Sequence, residues 1–441
     1  MNCARGGYRP FEAGRRPEHN EGDMRRFGTN VFAATAFALA CSSLAIVNTP
    51  ASAASTPTVN WYARPESGGS TVAAAQQCTK ESNGKFRIDI QELPADASAQ
   101  REQLVRRLAA YDSGIDLISM DVIWTAEFAS AHWVKPWPKT LAAKLSDGVI
   151  PAVLKTGQFR GRMYGAPLNT GSQLLWYRKD LVPEPPATWD EMIDIAEKLP
   201  ADQNKIEVQA KRYEGYTVWF NSLLASAGGQ MVKRGEPSFA RQPTEKALAI
   251  MKRLATSPTA DPSIANADEG TTDQVFNAGK AAFMVNYPFV YAAAKADAPE
   301  VFQNLGVALW PRVDPNEPSH VTLGGFNLGV GTYTKHPGLA YAAARCLLDD
   351  QRALLRATKD GLPPVKEALY DDAKFRKANP FADLLLQTFR DGSTRPVSPA
   401  YNDISLAVQG TIHPPRGIDP KSDVKALHDL VDDAVNSRGL L

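Results

Sequence analysis

The 441-residue sequence predicts an α/β protein of two interwoven lobes. Three observations predict it. From Thr58 onward, short apolar strands alternate with amphipathic helices, the pattern of βα units built around parallel sheets. The chain that follows the N-terminal leader is long enough for two lobes with real cores. No internal repeat and no low-complexity linker divides it, so the lobes share the chain rather than follow one another.

The elements follow in order. Thr58–Ala63 is short and β-prone. Ser70–Ser82 reads as a helix with Ser70 as N-cap, stopped by Asn83-Gly84. Phe86–Leu93 alternates apolar and polar residues as a half-buried strand does. Ala97–Tyr111 is a helix with Leu104, Leu108 and Tyr111 on one stripe. Ile115–Met120 is a buried strand running into Asp121-Val122-Ile123-Trp124. Ligands of parallel α/β sheets bind at the carboxyl ends of strands, where Asp121 lies. After Tyr164-Gly165-Ala166-Pro167-Leu168 come a strand at Leu174–Tyr177 and a helix at Trp189–Leu199, N-capped near Thr188. Tyr216–Ala227 is a helix ending at Gly228-Gly229. Thr244–Thr256 and Thr271–Ala278 are helices, and Ala281–Asn286 is a strand stopped by Tyr287-Pro288. Leu323–Val330 is a Gly-punctuated strand, and Leu339–Asp349 an Ala-rich helix carrying Cys346.

The leader narrows location. Met24-Arg25-Arg26 opens a basic stretch, and Val31–Val47 is a small, apolar run. A charged region followed by an apolar one has the form of a secretion signal, and the run is short for a stable span of roughly 20 residues. A retained anchor helix is the bland alternative. Met24 is a possible true start. Two endings compete: Ala38-Leu39-Ala40-Cys41 resembles a lipoprotein processing site without the usual Leu, and Pro50-Ala51-Ser52-Ala53 is an A-x-A site. Acylation of Cys41 would tether the protein to the outer face of the plasma membrane through lipid alone; cleavage after Ala53 would release it. The lipidated ending is the favoured one.

Composition excludes several classes. Lys plus Arg is 49 and Asp plus Glu 48, and no basic run exceeds a few residues, so no nucleic acid partner is expected. There is no C-x-x-C or H-E-x-x-H and the His residues stand singly, so no metal and no cofactor are expected. With Cys3 outside the mature chain and Cys41 the lipidation candidate, Cys78 and Cys346 remain as a pair. An oxidising compartment is compatible with a disulfide between them.

Several stretches carry a resemblance: Tyr164-Gly165-Ala166-Pro167, Gln173–Leu181, Thr188-Trp189-Asp190-Glu191-Met192, Phe276–Phe283 and Gly324-Gly325-Phe326-Asn327. In this order and spacing the chain resembles the extracellular solute-binding proteins of sugar ABC importers, the family-1, maltose-binding type. Met120–Ala129, Val218-Trp219-Phe220-Asn221, Ala267-Asp268-Glu269-Gly270 and Thr394-Arg395-Pro396 are similar to the trehalose-binding lipoproteins of mycobacterial importers. The resemblance implies a type II periplasmic-binding-protein fold, two α/β lobes joined by crossover strands near 165–168 and 322–325. It divides the chain into an N-terminal extension and signal peptide (1–53), a first lobe (57–165 with 325–371) and a second (166–324 with 372–441). It places Cys78 and Cys346 on helices of the first lobe, which favours a disulfide.

The same resemblance implies a non-enzymatic monomer. It would capture a disaccharide and pass it to permease subunits served by a cytoplasmic ATPase, touching the membrane only through a lipid anchor. A disaccharide needs carboxylates and amides as bidentate acceptors, an Arg as a fork of donors, and rings to stack on. Matching positions supply Asp121 and Glu269 as acceptors, Arg395 as donor, and Trp124, Trp219 and Tyr287 as rings. Gly324 and Gly325 would let backbone N–H approach closely. Glu66, Asn169 and Asn221 are weaker candidates. Two departures soften the choice of trehalose: Gly171 stands where the trehalose binders carry Asn, and Tyr287 where they carry Trp.

Two rivals remain. A secreted carbohydrate-active enzyme could use Asp121 and Glu269 as paired carboxylates, although no nucleophile motif accompanies them. The other is a binder of another solute class, a polyol or peptide; the acid and aromatic mixture suits neutral polyhydroxyl ligands better than peptides or anions.

Overall fold

The structure is a computed structural model that describes residues 56–94 and 96–438. The stretch expected to hold a secretion signal, the lipidation candidate Cys41 and the cleavage site after Ala53 lie outside the described residues. Among those described, no helix is long and apolar enough to cross a membrane.

Nine strands build the two principal sheets: β1 (Thr58–Ala63), β2 (Arg87–Glu92), β3 (Leu117–Asp121), β4 (Gly165–Gly171), β5 (Leu174–Arg178), β6 (Lys205–Glu207), β7 (Ala281–Asn286), β8 (Leu305–Ala308) and β9 (Gly324–Val330). The helices that bear on the site are α1 (Ser70–Glu81), α2 (Ala97–Ala109), α3 (Thr125–Ser130), α4 (Glu214–Ser226), α5 (Glu269–Asn277), α6 (Pro337–Leu347), α7 (Asp350–Asp360) and α8 (Tyr401–Ile412).

The first sheet has the order β2-β1-β3-β9-β4 and the second β8-β5-β7-β6. β1 pairs in parallel with β2 and β3, as the alternating pattern predicts. The sheet as a whole is mixed, because β9 returns from the far half of the chain and threads between β3 and β4, antiparallel to both. The second sheet is also mixed: β5 runs antiparallel to β7 and β8, while β6 runs parallel to β7.

Both sheets are covered on two faces, and the strand sequences show why. Successive side chains point to opposite faces, so a strand buried on both sides reads as one apolar run rather than an alternation. Val59, Trp61 and Leu117 pack on one face of the first sheet, Tyr62, Ile118 and Met120 on the other. In the second sheet Leu175, Phe283 and Val285 join the core under α4, whereas Leu174, Trp176 and Met284 join the opposite one.

Helix boundaries shift in three informative places. Ser70 is the first residue of α1 and Gly69 the N-cap; the Ser70 N–H instead donates to Asp360 Oδ2 at 2.9 Å, so α7 holds this helix end. Tyr111 leaves the stripe of Leu104 and Leu108: α2 ends at Ala109, and Tyr111 takes φ 59° with its ring 72% exposed. α5 begins at Glu269, two residues earlier than the sequence predicts, because Asp268 and Thr271 form a capping box. Thr188 does cap its helix, its hydroxyl accepting from Glu191 N at 3.1 Å. Cys78 of α1 and Cys346 of α6 are joined as a disulfide.

Candidate functional site

Strand ends position the site. Asp121 closes β3, Tyr287 follows β7, and Glu66 lies just past the end of β1, all at carboxyl ends where backbone N–H groups and loops converge. Glu269 stands at the first position of α5. Arg395 comes from the segment after the helix Ala382–Asp391, which bridges back to Thr322 through Ser393.

Arg395 is the hub. Its Nη1 donates to Glu214 Oε1 at 2.7 Å and its Nη2 to the Leu323 carbonyl at 3.3 Å, and Nη2 lies 3.7 Å from Asp121 Oδ1. Burial alone would lower the proton affinity of this guanidinium, but Tyr401, Glu214 and Asp121 outweigh it and hold Arg395 protonated above its usual range. Its Nε is buried without a hydrogen-bond partner among the described residues. Glu214 also accepts from the Tyr401 hydroxyl and, at 2.6 Å, from Ser405 Oγ. Asp121 Oδ1 accepts from Ile123 N at 3.2 Å, so this carboxylate caps the turn that follows it and faces Arg395 as well.

A second group surrounds Glu269. The Tyr213 hydroxyl lies against its carboxylate, and Tyr287 and Arg64 share its electrostatic field. Burial raises the carboxyls of Asp121, Glu269 and Glu66 above the usual range; Arg395 opposes this at Asp121, and Arg64, 3.7 Å from Glu66, opposes it there. The Tyr287 phenol is pushed up first by burial and then by Glu269.

Behind these side chains a buried amide network fixes the backbone. Asn286 Nδ2 donates to the Glu269 carbonyl at 3.0 Å and Asn286 Oδ1 accepts from Tyr287 N at 2.8 Å. Gln209 Nε2 donates to Thr272 Oγ1 at 3.2 Å and to the Val285 carbonyl at 3.0 Å. Satisfied buried networks of this kind rigidify what they hold.

The sequence-predicted residues fall into two sets. Asp121, Glu269, Arg395 and Tyr287 converge, and Glu66 is joined to them only through Arg64, which it faces at 3.7 Å and whose charge reaches Asp121 and Glu269. Gly171 and Gly324 border them: a Cβ on either would meet the Tyr287 ring, at 3.7 and 3.9 Å. The rest have other work. Trp219 is sealed in the core against Trp189 and Tyr216. Asn221 Nδ2 donates to Thr322 Oγ1 at 2.9 Å. Asn169 Oδ1 accepts from Phe326 N at 2.9 Å, where the β4–β9 register shifts. Gly325 takes φ 115° with its α-carbon pressed on β4. Trp124 stacks on Phe128 and is 2% exposed. Among the described residues no group of three or more His, Cys, Asp and Glu is placed to hold a metal ion.

This arrangement offers paired oxygen acceptors, a fixed fork of donors and an aromatic ring, drawn from elements on both sheets. The bacterial extracellular solute-binding protein family matches residues 64–352 of the chain. The chain belongs to that family. One relative of this solute-binding protein is the probable ABC transporter-binding protein of Deinococcus radiodurans, 28% identical over 344 residues, which are 74% of this chain and 81% of the relative. Another is the diacetylchitobiose binding protein DasA of Streptomyces coelicolor, 26% identical over 261 residues, 56% of this chain and 59% of DasA. The maltose-bound MalE3 of T. maritima shares the two-lobed fold, with TM-score 0.77 and 24% identity over 85% of this chain and 99% of that one.

Sequence reasoning missed four residues that the structure groups with Asp121, Glu269 and Arg395: Arg64, Tyr213, Glu214 and Tyr401. A helix start at Tyr216 left Tyr213 and Glu214 outside the reading, although an acid opening an otherwise apolar helix was a usable signal. Arg64, directly after β1, carried the same strand-end signal as Asp121.

Proposed function

We propose that this chain is the capturing component of a carbohydrate importer. It binds a neutral disaccharide, trehalose or a related sugar, between a lobe of residues 57–165 with 325–371 and a lobe of 166–324 with 372–441. It hands the sugar to membrane permease subunits without chemical change. The protein is exported, anchored by lipid at Cys41 and monomeric. The observation that carries this reading is the position of Arg395, shared between Asp121 at the end of β3 and Glu214 at the start of α4. A ligand in reach of this hub would touch both sheets at once. Asp121 and Glu269 would accept from hydroxyl pairs, the unpartnered Nε of Arg395 would donate, and Tyr287 would lie along the apolar C–H face of a ring.

The relatives support a sugar, since one is named for diacetylchitobiose and a structural neighbour holds maltose. The test is a thermal-shift screen against mono- and disaccharides including trehalose, maltose and sucrose. A binder's melting temperature rises with ligand concentration by mass action. Asp121→Ala and Glu269→Ala should each lose the shift while remaining folded. A flat screen overturns the sugar reading, and turnover of any disaccharide in the same incubation replaces it with an enzyme.

A further inference from the structure

Asp121 and Glu66 lie at the carboxyl ends of the first sheet; the amino ends, on the opposite side, carry a different surface. The register fixes what gathers there. Thr58 opens β1 beside Arg87, the first residue of β2. Leu117 opens β3 beside Val330, the last residue of β9. The turns 82–86, 110–116, 131–136 and 331–336 therefore meet at this end. They are stitched together: Gly331 N donates to the Asp116 carbonyl at 3.0 Å, Thr332 N to the Trp133 carbonyl at 2.9 Å and Lys135 N to the Val330 carbonyl at 2.8 Å.

Two features set this surface apart. The first is an aromatic pair: Tyr111 and Tyr333 meet edge to face with ring centroids 5.1 Å apart. Tyr111 is 72% exposed and takes φ 59° just past the end of α2. A left-handed residue in that place is ordinarily Gly, and a bulky one there stores backbone strain of the kind found at functional sites. The second is charge. Lys85, Arg87, Lys135 and Lys335 stand on these turns, and none has an acidic partner among the described residues. The acids nearby are already committed. Asp112 is held by Arg107 at 2.6 Å and Glu81 by Arg352, while buried Asp116 accepts from Asn60 N at 2.8 Å and from the Thr334 hydroxyl. The whole chain has a net charge of +1, so this excess is local.

Tyrosine rings among cations suit the headgroup layer of a bilayer. There a ring's apolar body and its hydroxyl are both accommodated, and anionic lipid attracts Lys and Arg. Of the large apolar side chains exposed among the described residues, only Tyr111 lies at this end, too little for the apolar centre of a protein interface. Thr58, which starts β1, is here too, so a chain anchored upstream at Cys41 would enter the fold on this side.

We infer that the amino end of the first sheet is a docking surface for anionic phospholipid, with Tyr111 and Tyr333 in the headgroup layer and the four cations against its phosphates. The carboxyl ends, where Asp121 lies, then point away from the bilayer. The inference needs neither the sugar reading nor acylation of Cys41.

Residues 55–441 form a compact unit containing both sheets, so the test uses that chain, free of leader and lipid. It is sedimented with vesicles of phosphatidylcholine alone and of phosphatidylcholine mixed with phosphatidylglycerol. The expected result is binding to the mixed vesicles that weakens as salt rises, with little binding to phosphatidylcholine alone. Lys85→Glu with Lys335→Glu should weaken that binding about tenfold or more. Tyr111→Gly suits the left-handed backbone, so it should weaken binding while the melting temperature holds or rises. Lys233→Glu with Arg234→Glu, exposed on a turn of the other half of the molecule, should change little. Unchanged melting temperatures show that the charge variants are folded. No binding to mixed vesicles overturns the inference, as does equal binding to both kinds. So does a loss as large in the Lys233 and Arg234 pair as in the Lys85 and Lys335 pair, or binding that neither the Lys85 and Lys335 pair nor Tyr111→Gly weakens.

Discussion

Glu214 Oε1 accepts from Arg395 Nη1 across 2.7 Å, and through Arg395 the start of α4 on the second sheet is tied to Asp121 at the end of β3 on the first. Neither sheet owns this ion cluster. Arg395 is 5% exposed and Glu214 16%, so both charges lie where losing a partner is expensive.

Glu214→Ala should therefore destabilise the protein by about 3 kcal/mol or more, because the buried guanidinium loses its nearest acid and is left with the Leu323 carbonyl, the Tyr401 ring and the longer approach to Asp121. Glu214→Gln, which still accepts a hydrogen bond, should cost less. Urea unfolding separates the two. Equal, small losses would mean that Asp121 alone suffices for Arg395.

Gly325 combines φ 115° with a backbone so close that a Cβ would stand 2.5 Å from the Asn169 carbonyl oxygen. Gly325→Ala should cost about 1–3 kcal/mol from backbone conformation alone, with steric displacement of β4 added. A lowered melting temperature is the expected result; Gly338→Ala, where nothing lies near the added carbon, serves as the control.

Glu207 gives the stability a pH dependence. It is 1% exposed, and burial, then Asp261, push its carboxyl up to about 8 from an ordinary 4.5. In the unfolded chain the group ionises near 4.5, so the folded form is favoured most below that pH and loses stability as pH rises towards 8. A tenfold change in proton affinity is worth about 1.4 kcal/mol, so the loss amounts to a few kcal/mol. Glu207→Gln should flatten this part of the melting temperature against pH. An unchanged slope would assign the dependence elsewhere.

The Cys78–Cys346 bond spans 268 residues of sequence and joins α1 to α6. Replacing both with Ala should cost about 2–5 kcal/mol, read as a lower unfolding midpoint in non-reducing buffer. Wild-type protein under reductant should move towards the same midpoint.

Much of the fold was legible because both sheets are sandwiched. Runs such as Leu174–Tyr177 and Ala281–Asn286 are apolar on both faces, a signal hard to mistake once flanked by helices. Direction was less legible: the strand at 324–330 reads identically whether parallel or antiparallel, and only its partners made it antiparallel. Within the site, strand ends were the readable feature, which is why Asp121 and Tyr287 emerged. Trp219 and Asn221 did not converge with them because helical periodicity cannot say which apolar face meets a neighbour, and here α4 turns them to the core and to Thr322. Glu214 escaped for the converse reason: its partners, Arg395, Tyr401 and Ser405, lie far along the chain, and no local pattern announces them.

The insertion of β9 between β3 and β4 bears on how the protein is made. A ribosome that has delivered the chain only as far as Thr322 has produced β1, β2 and β3 with one flank of β3 bare, and β4 with no partner. Unpaired strand edges invite foreign strands. The first sheet is thus a late-closing structure, completed only when residues 324–330 emerge, and any chain truncated before them should be insoluble or held by a chaperone, however sound its N-terminal half.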